Sequence, residues 1–138
     1  MKVWISVAAI VALYVSLCVA DFSKQEMKGI LSGARECVSQ LRIGPDASSF
    51  VQSVMYYRDV KNDDITKKYI KCVMESMGLL DTEGVIQTQV IVNYFKDNFD
   101  EQLLKKLMHT CGQPEGETTE DKTWNFYNCC FINKEFDI

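Results

Sequence analysis

Apolar residues recur every three or four positions along most of the chain, which is the spacing of one helix face. The first run extends from Phe22 to Leu41, and a second begins at Pro45, after the break "GPDAS". The clearest run is "NDDITKKYIKCVMESMGLL", which has acidic residues in its first turn and an apolar stripe that includes Tyr69 and Cys72. These runs predict three helices before the turn "DTEG".

Three further helices are predicted after that turn. The first begins at Val85 and is largely buried, although its β-branched residues are weak helix formers. The second is capped by Asp100, and the third is "DKTWNFYNCCFI", between the polar loop "GQPEGETTED" and the tail "NKEFDI". No stretch alternates with a period of two for long, so we predict an all-α chain forming a single compact domain of about six helices.

The first 20 residues have a different composition. One lysine precedes a run of about 16 apolar or small residues that ends in Cys18-Val19-Ala20, a small-x-small cleavage pattern. We predict that residues 1–20 are a signal peptide, that residues 21–138 form the helical domain, and that the protein is secreted. A retained membrane anchor is the alternative, which is disfavoured because no cluster of Lys or Arg follows the run.

Charge and cysteine content narrow the possible partners. Removing the leader takes away Lys2 but no acidic residue, which leaves 14 basic and 19 acidic residues and a net charge of −5. This balance argues against nucleic acid and anionic membranes as partners, and we expect no stable membrane insertion. Five cysteines remain, at positions 37, 72, 111, 129 and 130, and disulfides are the default in an oxidising compartment. The odd count leaves one thiol unpaired.

The doubled cysteine near the end of the chain raises the question of which sulfur is bonded. On a helical projection, Cys130 lies among aromatic residues such as Phe126, whereas Cys129 lies on the opposite side, beside Asn125. A cysteine on a polar face is better explained by a disulfide than by burial as a thiol. We therefore predict that Cys129 is bonded and that Cys130 is a free thiol in the core. The reverse stays open, since a projection ignores helix bending.

The chain resembles the insect odorant- and pheromone-binding proteins. The resemblance covers residues 22–138 and is carried by the leader, the mature length, the acidic charge, the six predicted helices and the stretches "KCVMESMGLLDTEG", "GQPEGE" and "EDKTWNFYNC". The family usually has six cysteines, with three residues between the second and third and eight between the fifth and sixth. The first, third, fourth and sixth are matched by Cys37, Cys72, Cys111 and Cys129.

The two unmatched positions are the two ends of one family disulfide. Lys68 stands where the second cysteine would be, and Glu120 stands where the fifth would be. The chain therefore resembles the reduced-cysteine (C-minus) branch. The resemblance implies disulfides between Cys37 and Cys72 and between Cys111 and Cys129. We also expect a weak ion pair between Lys68 and Glu120.

The resemblance implies a secreted, non-enzymatic carrier that binds odorants, pheromones or similar lipophiles in an internal apolar cavity and transports them through aqueous lymph. It implies a small hydrophobic ligand and a membrane odorant receptor as partners, and a monomer or weak homodimer. No cofactor or metal is predicted. The candidate ligand-binding residues share apolar side chains that are equally suited to core packing: Met74, Met77, Val90, Tyr94, Leu104, Leu107, Met108, Phe126, Tyr127 and Phe131. Either Tyr94 or Tyr127 is expected to orient a polar ligand group.

Catalysis has little support in the sequence. The single histidine is His109, and the sequence lacks the His-Asp pair and the calcium-binding glycine loop that a small secreted phospholipase would need. No Ser-His-Asp set or metal-ligand spacing is visible either. Two further non-enzymatic classes stay open, a structural or haemolymph protein without a dedicated ligand and a membrane-active saposin-like bundle. In the carrier, Phe131 and Phe136 are expected to fold over the cavity opening, with Glu135 and Asp137 facing water.

Overall fold

The computed structural model describes residues 24–135, and these form six α-helices, in agreement with the predicted number. The predicted leader, Phe22, Phe136 and Asp137 lie outside the described residues. The helices are α1 (Lys24–Gln40), α2 (Ala47–Tyr56), α3 (Asp64–Ser76), α4 (Thr88–Phe95), α5 (Glu101–Cys111) and α6 (Thr119–Asn133). None of the helices in this part of the chain is both long and apolar enough to cross a membrane.

Three helices begin with a side-chain cap, which satisfies a backbone N–H group that has no partner within the helix. The carboxylate of Asp63 accepts from the backbone N–H of Thr66 at the start of α3, at 2.9 Å. Asp100 caps α5 in the same way, through Leu103 N at 3.0 Å, which confirms the predicted cap. The hydroxyl of Thr118 accepts from Asp121 N at 3.1 Å and begins α6.

The start of α4 differs from the prediction. The sequence pattern placed it at Val85, but the helix begins at Thr88, because the preceding segment is a tight turn. The carboxylate of Asp81 accepts hydrogen bonds from the backbone N–H groups of Glu83 and Val85, at 2.9 and 2.8 Å. These N–H groups therefore stabilise the turn and do not belong to a helix. An antiparallel bridge between Leu80 and Ile86 closes the turn.

Two disulfides join the helices in pairs. Cys37 of α1 is bonded to Cys72 of α3, and Cys111 of α5 is bonded to Cys129 of α6. Both bridges agree with the predicted pairing, and Cys130 is the free cysteine of the described residues. The helical projection therefore identified the bonded member of the doubled cysteine correctly.

The hydrophobic core lies where these helix pairs meet. α3 packs against both α1 and α6, and α5 packs against both α4 and α6. The residues most completely withdrawn from water include Cys37, Val92, Leu104 and Ile70, contributed by four different helices. α3 and α6 are therefore in contact with each other and with the other helices of the core.

Candidate functional site: an apolar cavity between the helices

A cavity of about 220 Å³ lies within the bundle. Its wall comprises residues from all six helices and from the segments that follow α3 and α4. The lining side chains are aliphatic, aromatic or sulfur-containing, and no Lys, Arg, His, Asp or Glu is found among them in the described part of the chain. A space of this character favours small hydrophobic molecules, because apolar contacts supply the affinity and few polar groups fix the orientation.

Eight of the ten candidate ligand-binding residues lie in the wall of this cavity: Met74, Met77, Leu104, Leu107, Met108, Phe126, Tyr127 and Phe131. They come from α3, α5 and α6, together with the residue that directly follows α3. Their contact with a ligand stays a prediction.

The structure places the other two candidates elsewhere. Val90 is 42% exposed, because it lies on the outer face of α4, where Ile91 of the same helix points inward and lines the cavity. Tyr94 is half-buried against α1, and a Cβ atom at Gly29 would overlap its hydroxyl oxygen. Tyr94 therefore fills the space that this glycine leaves rather than bordering the cavity.

The sequence interpretation missed several residues of the wall. Most lie on the inner faces of the helices, and two lie in the segments after α3 and α4: Ile30, Val54, Met55, Tyr69, Ile70, Val73, Leu79, Ile91, Phe95, Phe99 and Cys130. Most of them belong to the apolar stripes of the sequence, so the signal was present. Helical periodicity identifies a buried face but does not distinguish close packing from cavity lining.

Three side chains bring a polar atom to the wall. The hydroxyl of Tyr127 donates a hydrogen bond to the backbone carbonyl of Val54 and so joins α6 to α2. Burial raises the pKa of Tyr69 to about 12 and that of the Cys130 thiol to about 12. All three groups are therefore neutral at physiological pH, and the cavity contains no charge that could bind an ion.

The PBP/GOBP family model matches residues 19–133, which include the described cavity and both disulfides. The chain belongs to the PBP/GOBP family. It is also 34% identical, over 92 residues, to odorant-binding protein 22 of Aedes aegypti. This match covers 66% of the chain but 61% of the mosquito protein, so the chain spans about three fifths of the length of that relative.

Two solved structures share the fold of this PBP/GOBP member. The fatty acid binding protein OBP56a from the oral disk of the blowfly Phormia regina matches with a TM-score of 0.65 and 18% identity, over 80% of this chain and 93% of the blowfly chain. The medfly odorant-binding protein CcapOBP22/CcapOBP69a matches with a TM-score of 0.57 and 19% identity, over 75% and 86% of the two chains.

The predicted ion pair between Lys68 and Glu120 is wrong, because Glu120 pairs with a different lysine. Glu120 pairs with Lys71 at 3.3 Å, and Asp121 pairs with Lys67 at 2.8 Å. Lys68 is a neighbour that helps to lower the pKa of Glu120, after the backbone N–H of Glu120 itself and Lys71. In this family member, ion pairs therefore lie across the α3–α6 junction where the resemblance places the missing disulfide. Membership of the reduced-cysteine branch stays a prediction.

The end of the described chain contacts the cavity and α5. Phe131 lines the cavity and stacks on Tyr57, with the ring centroids 5.1 Å apart. Glu135 forms an ion pair with Lys106 at 2.6 Å. His109 is an exposed residue in the last turn of α5, where it also interacts favourably with the helix dipole. The predicted lid stays a prediction, because Phe136 and Asp137 lie outside the described residues.

Proposed function

We propose that the protein is a secreted carrier that encloses one small hydrophobic molecule in the cavity between α3, α5 and α6. The observation that carries the proposal is the cavity itself, whose wall consists of apolar side chains and three neutral polar groups. Membership of the PBP/GOBP family supports the same function, as does the similarity to the mosquito odorant-binding protein, the blowfly fatty acid binding protein and the medfly odorant-binding protein. Secretion is part of the proposal and rests on the leader-like residues 1–20, with the mature chain beginning at Asp21.

The volume of the cavity sets the size of the ligand. A cavity of about 150 Å³ holds benzene, so a space of about 220 Å³ holds roughly nine heavy atoms without rearrangement. Longer molecules require the wall to move. The methionines of the wall, such as Met74 and Met77, allow some adjustment because their unbranched side chains adopt several shapes.

The test is the uptake of linear alkanes, from hexane to tetradecane, from the headspace above a solution of the mature chain. Apolar burial predicts that affinity rises with each added carbon up to about nine and then levels off. A continued rise beyond nine carbons would show that the wall opens. No uptake by the folded chain would contradict the carrier and favour the structural or haemolymph class.

A pair of variants ties uptake to this cavity. Leu104→Trp adds volume at a lining residue that is 3% exposed, so we expect it to reduce alkane uptake at least several-fold. Val90→Trp makes the same chemical change on the outer face of α4 and should leave uptake unchanged. If Leu104→Trp does not fold, Met77→Trp repeats the test at a half-buried lining residue.

A further inference from the structure

Tyr69 places a polar atom in the apolar wall of the cavity. The residue belongs to α3, is 4% exposed and lines the cavity. Its ring packs edge-on against Phe50 of α2, with the centroids 4.9 Å apart, so the direction of the side chain is fixed. No hydrogen bond within residues 24–135 involves its hydroxyl group, and burial alone accounts for its raised pKa.

The hydroxyl oxygen of Tyr69 borders open space. Among the described residues, every fully shielded side-chain oxygen or nitrogen has a hydrogen-bond partner. The hydroxyl of Tyr69 has none, so its oxygen is not fully shielded, although the residue is 4% exposed and lines the cavity. A buried hydroxyl without a partner is unfavourable, and a ligand that accepts a hydrogen bond removes this penalty.

Tyr127 provides the contrast within the same cavity. It also lines the cavity, but its hydroxyl already donates to the carbonyl of Val54. Tyr127 was one of the two residues expected from the sequence to orient a ligand, but its hydroxyl proton already forms a hydrogen bond within the protein. Tyr69, whose proton is free, was not among the candidates.

We propose that Tyr69 determines the specificity of the cavity by donating a hydrogen bond to the oxygen of a neutral lipophile, such as a ketone, an aldehyde or an ester. This inference rests on the proposed carrier function. A carboxylate is disfavoured, because no Lys, Arg or His in the described chain lines the cavity and the desolvated charge would be unpaired. One cation close to a lining residue is Lys134, whose ammonium group lies 5.5 Å from the centre of the Phe131 ring.

The experiment compares 2-octanone with nonane, which have the same number of heavy atoms and differ in one carbonyl group. In Tyr69→Phe, we expect the affinity for 2-octanone to fall by about 3- to 10-fold, the range of one net hydrogen bond, while nonane binding is unchanged. In the unaltered protein, the infrared carbonyl stretch of bound 2-octanone should shift to lower frequency. This shift should be absent in Tyr69→Phe.

Tyr127→Phe is the matched control, since it removes a hydroxyl from the same cavity wall. It should lower the melting temperature, because the carbonyl of Val54 loses its donor, while the ratio of 2-octanone to nonane affinity stays as in the unaltered protein. Octanoate is the charged comparison and should bind at least 10-fold more weakly than 2-octanone.

The outcomes separate this inference from the carrier function. Equal losses for 2-octanone and nonane in Tyr69→Phe, or an unshifted carbonyl stretch in the unaltered protein, would overturn the role of Tyr69 and leave the carrier intact. Octanoate binding as tight as that of 2-octanone, and weakened by Lys134→Gln, would overturn the role of Tyr69 and assign the polar contact to Lys134. If neither neutral ligand binds, the carrier function itself fails.

Discussion

Helices α3 and α6 have two contrasting sides. On the inner side, Tyr69 and Met74 of α3 face Phe126 and Cys130 of α6 across the cavity, and every group is neutral. On the outer side, two ion pairs join the same helices, one between Lys71 and Glu120 and one between Lys67 and Asp121. The junction is therefore apolar towards the ligand space and charged towards water.

The contrast shows that the two sides respond to opposite extremes of pH. Burial raises the pKa values of Tyr69 and Cys130, so the interior resists losing protons. On the outer side, Lys67 and Thr118 lower the pKa of Asp121, so this side resists gaining protons. Alkaline pH should therefore destabilise the interior of the bundle, whereas acidic pH should weaken the ion pairs on the outer side of the α3–α6 junction.

The largest effect is expected at alkaline pH. A group whose pKa is raised by folding contributes stability below its unfolded pKa, and this stability is lost as pH rises towards the folded pKa. For Cys130 the interval runs from 9.0 to about 12, and Tyr69 and Tyr127 add further losses above 10.0. Between pH 8 and 10.5 we expect the free energy of unfolding to fall by about 4 kcal/mol in urea titrations, about 2 of which come from Cys130.

Cys130→Ala separates this loss from general alkaline denaturation. The variant removes the thiol, so about half of the loss between pH 8 and 10.5 should disappear. A pH dependence that is identical in the variant and the unaltered protein would mean that the interior does not control alkaline stability.

The second effect is expected from a new disulfide on the outer side of the α3–α6 junction. Lys68→Cys with Glu120→Cys, in the Cys130→Ala background, should form a third disulfide and raise the free energy of unfolding by about 2 kcal/mol. The chain-entropy model gives about 4 kcal/mol for a loop of about 50 residues, but engineered bridges usually deliver less. Peptide mapping without reduction and urea titration measure the two results.

The remaining alkaline loss of this variant should match that of Cys130→Ala, because the bridge changes only the outer side of the junction. If both new thiols stay free, positions 68 and 120 are not adjacent, and the correspondence with the second and fifth family cysteines is wrong.

The smallest effect is expected from a single ion pair. Glu120→Gln should lower the free energy of unfolding by less than about 1 kcal/mol, because Lys71 and Glu120 are each about one third exposed. Since folding lowers the pKa of Glu120, this stability is present above the unfolded pKa of 4.5 and is lost as pH falls through the folded value. Urea titrations at pH 6 and pH 3, at low and high salt, measure it.

Glu101→Gln is the control for that variant, since it removes an exposed pair with Lys105 within α5, away from the junction. We expect about 0.3 kcal/mol there. If the two variants lower the free energy of unfolding equally, the ion pair at the α3–α6 junction contributes no more than an ordinary pair within one helix.

Sequence reasoning succeeded where one local rule decided the result. Asp100 caps α5 because a carboxylate at that position reaches the third backbone N–H of the helix. Cys129 is bonded because its side of α6 is otherwise polar. The residues of α5 that reach the cavity could be identified for a similar reason, since this helix has one clear apolar stripe.

The failures concern features that depend on three-dimensional neighbours. Val90 belongs to a helix with apolar residues on several sides, and only packing shows that Ile91 is the inward one. Glu120 meets Lys71 rather than Lys68, because a shift of three residues changes which part of the α3 face meets α6. The importance of Tyr69 depends on the absence of a partner for its hydroxyl, which no pattern along the chain reveals.

The two disulfides also have a simple topology. The ring closed by Cys37 and Cys72 ends in the chain before the ring closed by Cys111 and Cys129 begins, so the rings are neither nested nor interleaved. Each can therefore be oxidised independently, and neither bridge has to wait for the other. Cys130 is the competitor for Cys129 during oxidation, because it is the next residue. Once α6 has packed, burial protects that thiol from thiolate exchange and preserves the correct pair.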